Sequence, residues 1–188
     1  MRIFLSIDIP DEVKAQLANL EKNLGQYGKN VRFTPVNNLH ITVKFLSEQP
    51  DFAIGKIKNI LAEQIPTTCL FSVHLNKCGV FPNLNNARVL WIGEDNNNFV
   101  QFAESVNKNL NIFRMQENKP FCHMTIGRIK KIGKIEILDI IRRCKAFLEE
   151  ERVIFSVTGV SLYKSELLRE GAKYTKIDEF KLKGEVDG

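Results

Sequence analysis

Leu39-His40-Ile41-Thr42-Val43-Lys44-Phe45 and, 83 positions later, Cys122-His123-Met124-Thr125-Ile126-Gly127-Arg128 are two copies of one pattern. Each alternates polar and apolar residues, the period of a half-buried strand. Residues i and i+2 of a strand share a face. His40 therefore projects with Thr42, and Lys44 shares that face, while Leu39, Ile41, Val43 and Phe45 project into a core. In the second copy His123 projects with Thr125, and Met124 and Ile126 point the other way. By this parity Phe45 and Arg128 fall on the face opposite their histidines. The chain has three histidines and seven threonines. An accidental His meets Thr two places on roughly one time in 25, yet two of the three do, so the tripeptide is a repeated motif.

Outward from these strands the flanking pattern repeats as well. A strand is predicted over 2–9, then a helix with Pro10 at its start, Asp11 and Glu12 in its first turn and Gly25 at its stop. Val13, Leu17, Leu20 and Leu24 form its apolar face. The second half answers with a strand over 87–93 and a helix over 96–110, whose Phe99, Ala103, Val106 and Leu110 hold the same relative places. Each His-x-Thr segment is followed by a helix, over 51–65 and 134–149. Each helix leads to a strand beginning Phe-Ser-Val, at Phe71 and at Phe155. A hairpin at the C-terminus is predicted from 153–163 and 174–182 around Glu170-Gly171-Ala172. This order predicts an α+β protein of one domain over 1–188. The internal repeat spans about 2–84 and 87–170. The fold expected is bilobal and pseudo-two-fold, with two mainly antiparallel sheets about a central cleft and helices outside.

With 188 residues and 21.6 kDa, the chain should bury roughly 70% of the surface it exposes unfolded. Hydrophobic residues at 44% and charged residues at 26% exclude a dominantly disordered chain. Lys and Arg exceed Asp and Glu by 27 to 22, and this surplus favours an anionic partner. No stretch approaches the roughly 18 apolar residues of a membrane span. The opening Met1-Arg2-Ile3-Phe4-Leu5-Ser6-Ile7-Asp8 carries a charge within a short apolar run and is expected to be a strand, not a signal peptide. Cys69, Cys78, Cys122 and Cys144 match no zinc spacing and are expected as reduced, structural thiols of a cytoplasmic protein. Two histidines 83 residues apart do not supply the three or four ligands of a metal site, and no cofactor is expected. His74 has no echo in the second half and is expected to be structural.

If the halves pack about a pseudo-two-fold axis, both His/Thr pairs face one cleft. Opposed imidazoles suit in-line displacement at phosphorus. One, neutral, takes a proton from water and the other, protonated, gives one to the leaving oxygen, which their ordinary pKa near 6.5 allows. The threonine hydroxyls would hold non-bridging phosphate oxygens. Near-symmetry leaves open which histidine is acid and which is base.

These residues resemble the two-histidine (2H) phosphoesterase superfamily. Within it the chain is similar to the RNA 2′,3′-cyclic phosphodiesterases, also called 2′-5′ RNA ligases or LigT-like proteins. The resemblance runs from Met1–Asp8 through Asn38 to Leu46, Gly79-Val80-Phe81-Pro82, Arg88-Val89-Leu90-Trp91 and Phe121 to Arg128. It ends with Leu162 to Leu167 and Gly171-Ala172-Lys173-Tyr174. It implies metal-independent hydrolysis of a terminal 2′,3′-cyclic phosphate to a 2′-phosphate. It also implies His40 as proton donor and His123 as proton acceptor, and it makes Phe45 and Arg128 candidates for base stacking and cation contact. Lys44 is a further phosphate-contact candidate from its shared face. The family usually has Pro just before the second His, where this chain has Cys122. RNA ends or cyclic nucleotides are the implied substrates, for a monomer without an obligate protein partner. A 2′-5′ ligase, a 3′-end exonuclease and a non-catalytic RNA-end-binding module are the alternatives. The basic clusters Arg128 to Lys131 and Arg142-Arg143 are expected to be solvated surface, with an extended RNA footprint as the alternative.

Overall fold

The two quoted segments become neighbouring central strands, β3 (His40–Glu48) and β7 (Cys122–Ile129). The computed structural model describes residues 1–110, 119–168 and 171–184. In chain order the remaining elements are β1 (Arg2–Asp8), α1 (Asp11–Asn23), β2 (Val31–Phe33), α2 (Asp51–Gln64), β4 (Phe71–His74), β5 (Lys77–Phe81), β6 (Val89–Glu94), α3 (Asn97–Asn109), α4 (Lys134–Glu151), β8 (Ile154–Val157), β9 (Gly159–Leu168) and β10 (Gly171–Lys181).

Among the described residues, strands run in the order β10-β9-β1-β3-β7-β6-β5, with β2 also paired to β7. All these pairings are antiparallel. The two halves of this array, β10-β9-β1-β3 and β7-β6-β5 with β2, meet through the pair Ile41–Met124. Both of those side chains are fully buried. They enter a core shared with Leu17 of α1, Ile57 of α2, Phe99 of α3 and Ile140 of α4. The helices thus pack on the core face, α1 against α4 and α2 against α3. A second, two-stranded sheet pairs β4 with β8, and here the two Phe-Ser-Val tripeptides meet head to tail about Ser72–Ser156.

The strand expected over 153–163 is two strands. β8 joins β4 while β9 joins β1 and β10, so the chain changes sheets at Thr158. Gly159 fits that change, because a Cβ there would stand 2.7 Å from the Phe180 carbonyl oxygen. The C-terminal strand is longer than expected, Gly171–Lys181. Glu170 of the expected turn lies outside the described residues. Pro10 immediately precedes α1 and does not form its first residue.

Candidate active site

The antiparallel pair Ile41–Met124 sets the two motifs head to tail. His40 and Thr42 flank Ile41, and His123 and Thr125 flank Met124. Because Ile41 and Met124 point into the core, the polar pairs project together from the opposite face. All four are half-buried. Diagonal neighbours across such a ladder stand roughly 7–8 Å apart, the scale of a phosphate held between two rings.

Each imidazole is anchored in the same way. His40 Nδ1 bonds the Asn38 carbonyl at 2.7 Å, and His123 Nδ1 bonds the Phe121 carbonyl at 2.9 Å. A carbonyl oxygen only accepts, so Nδ1 carries the hydrogen in both rings and Nε2 is left to exchange a proton. Each ring also sits in an aromatic wall of its own half. Phe4 lies 4.9 Å and Tyr174 5.3 Å from the His40 ring, centre to centre. Phe81 lies 5.2 Å and Phe121 5.5 Å from the His123 ring, with Trp91 beyond at 6.4 Å. Burial among these rings holds both histidines below the usual imidazole pKa. At His40 the Asn38 carbonyl and the Asp8 carboxylate act in the opposite sense, and His123 adds a small depression.

The faces of Lys44, Phe45 and Arg128 differ from the parity expectation for one reason. On β3, Leu5 and Ser6 of β1 oppose Lys44 and Thr42, so Val43 is an extra residue, a β-bulge. On β7, Leu90 and Trp91 of β6 oppose Gly127 and Thr125, so Ile126 is the corresponding extra residue. A bulge inverts the alternation beyond it. Lys44, opposite the core residue Leu5, is turned inward and only 6% exposed, so it does not share the face of His40 as parity expects. Phe45 moves the other way: it pairs with Phe4, is 61% exposed, and its ring centre lies 6.2 Å from that of Phe4 beside His40. Arg128 is likewise exposed on the histidine face, close enough to Tyr174 to act on its phenol.

Other candidates separate from the site. His74 lies on β4, its backbone N–H donating to Glu94 Oε1 at 3.0 Å. Cys122 is buried and its thiol is pushed up to about 12 by burial, then by Glu94, which suits a structural role. Arg142 and Arg143 are engaged by Asp139 at 2.5 and 2.8 Å along α4. Among the described residues no cluster of three or more His, Cys, Asp or Glu could hold a metal ion. No helix is long and apolar enough to cross a membrane. The sequence reading missed Phe4, Phe81, Trp91, Phe121, Tyr163 and Tyr174 as walls of the site. Their signal was their recurrence in the resembling segments, but which strands meet is not local information.

Residues 7–91 match the model of the family described as LigT like phosphoesterase. The RNA 2′,3′-cyclic phosphodiesterase of Methanocaldococcus jannaschii is 34% identical over 182 residues, covering 96% of this chain and all of that relative. TT0787 of Thermus thermophilus has a crystal structure that superposes with a TM-score of 0.79 at 24% identity, covering 99% of this chain and 100% of that one. The structure of LigT from E. coli complexed with 3′-AMP gives 0.75 at 21% identity, covering 96% and 97%. Fold, motifs and relatives together define a phosphoesterase, a hydrolase of phosphate esters. The chain belongs to the LigT-like phosphoesterase family.

Proposed function

We propose that this protein hydrolyses the terminal 2′,3′-cyclic phosphate of RNA or nucleotides to a 2′-phosphomonoester, without a metal, using His40 and His123 as acid and base. The observation that carries the reading is the identical anchoring of the two imidazoles, each Nδ1 on a carbonyl, on one face beside a threonine. The name of the M. jannaschii relative and the 3′-AMP bound by LigT support the substrate class.

The cyclic phosphate sits between the two rings. His123 Nε2 takes a proton from water as its oxygen attacks phosphorus. The bond from phosphorus to the 3′ oxygen breaks in line, and His40 gives that oxygen its proton. The 2′ ester bond remains. His40 ends neutral and His123 protonated, and exchange with solvent restores the starting forms. Thr42 and Thr125 bind the non-bridging oxygens, where charge builds in the transition state. Arg128 contacts substrate charge, and Phe45 offers a face for base stacking.

The test is hydrolysis of a 2′,3′-cyclic mononucleotide and of a cyclic-ended RNA in excess chelator, with product identified as the 2′-phosphate. His40→Ala and His123→Ala should each lower kcat by about 10²–10⁴-fold. Activity abolished by chelator, or near-normal rates in either variant, would overturn the mechanism.

A further inference from the structure

The duplicated motif treats its two histidines alike, so the difference in their duties must come from outside it. The strand neighbours supply one. In β1 the residue opposite His40 is Asp8, and in β6 the residue opposite His123 is Gly93. Asp8 is held in place: its carboxylate accepts from Ser161 Oγ at 2.7 Å, Tyr163 OH at 2.9 Å and Lys176 Nζ at 2.7 Å. Asp8, Tyr163 and Lys176, with Tyr174, Lys14 and Asn38, line a pocket of about 220 Å³ against His40. At Gly93 no side chain fits, because a Cβ would stand 2.3 Å from the Cys122 carbonyl oxygen. The asymmetry is therefore built into the backbone of the second half as well as into the side chains of the first.

We propose that Asp8, tempered by Lys176, is the positioning residue that keeps the proton on His40, and so selects His40 as the acid and leaves His123 to be the base. A carboxylate beside one imidazole favours its charged form relative to the other. The groups facing His40 are Asp8 from β1, Tyr163 from β9, Tyr174 and Lys176 from β10, Lys14 from α1 and His123 from β7. Lys14 is paired with Asp11 at 2.8 Å. The Tyr163 phenol, pushed up to about 12 by burial and then by Asp8, stays neutral through the working range. Asp8 favours the imidazolium of His40 and His123 opposes it, while Lys176, ion-paired with Asp8 at 2.7 Å, offsets part of the Asp8 charge. The inference rests on the two-imidazole reading above.

The test is the pH dependence of kcat/KM on a 2′,3′-cyclic mononucleotide, together with NMR titration of the His40 ring in the same variants. The alkaline limb reports the acid in the free enzyme. Asp8→Asn, whose amide oxygen can accept from one of the Ser161 and Tyr163 hydroxyls while its NH2 donates to the other, should move that limb and the His40 midpoint down by about 0.5–1 pH unit. Lys176→Met should move both up, and Asp8→Glu should restore the wild-type position. The acid limb, governed by His123, should move less in every case. Mere structural damage would not send the two variants in opposite directions. Limbs and midpoints that stay put, or that shift the same way in both variants, would overturn the proposal. If the wild type fails to hydrolyse the substrate, the functional reading falls instead, and the NMR titration still decides this one.

Discussion

Placing alanine at Gly93 tests how the second histidine is held. Gly93 pairs with His123 across β6 and β7. The added methyl would lie 2.3 Å from the Cys122 carbonyl oxygen, 3.0 Å from His123 Cα and 3.2 Å from its Cβ. Contacts under 3.0 Å are essentially never tolerated, so the strands must part by about 0.7 Å at this pair. The neighbour is backbone, which has no rotamer to escape into, and the His123 ring travels with its Cα. Proton transfer needs heavy atoms roughly 2.6–3.2 Å apart, and misplacement by about 1 Å can cost on the order of 10²-fold in rate. Gly93→Ala should thus lower kcat/KM for a cyclic mononucleotide by about 30–100-fold. The overpacking should also cost about 1–3 kcal/mol, a fall in Tm of roughly 2–12 °C for a chain of this size. Both are read from initial rates and a thermal melt on one preparation. Wild-type kcat/KM with an altered Tm would refute the claim that β6 positions His123.

Other outcomes follow from the same geometry. Gly55→Ala, in α2 with nothing within 4 Å of the new methyl, should raise stability by about 0.5–1 kcal/mol in urea melts and leave activity unchanged. His40 and His123 both resist protonation when folded, so the unfolded chain binds protons at higher pH than the native state does. Stability should therefore fall as pH drops below about 6.5, through the window down to the lowered native values, and a His40→Gln/His123→Gln double variant should show a flatter profile between about pH 7.5 and 5.5. Phe4→Ala removes a buried ring that touches His40, Phe45, Tyr163 and Tyr174, and should cost about 3–5 kcal/mol by denaturant titration. Phe45→Ala, at an exposed position, should leave the melting curve nearly unchanged while raising KM for a cyclic-ended oligonucleotide by about 5–150-fold, the equivalent of about 1–3 kcal/mol for a lost base stack.

Much of this protein could be read along the chain. The helices of the two halves, the strand nature of both His-x-Thr segments and the sharing of a face by His40 with Thr42 and by His123 with Thr125 all follow from local periodicity. A period of two or of 3.6 needs no knowledge of the neighbour. The resemblance of the flanking segments extended that reading to the family. The faces of Lys44, Phe45 and Arg128 could not be obtained this way. Their positions depend on Val43 and Ile126 standing opposite no residue of the adjoining strand, and a bulge is a property of two strands counted against each other.

The same distinction separates the motif from its setting. Two equal His-x-Thr tripeptides are written in the chain, and their chemistry is legible in the residue types. That one imidazole stands against a carboxylate and the other against a bare glycine depends on β1 lying beside β3 and β6 beside β7. Strand order and register arise from burying the whole core at once, a sum over distant residues, so only the folded molecule makes the two halves unequal.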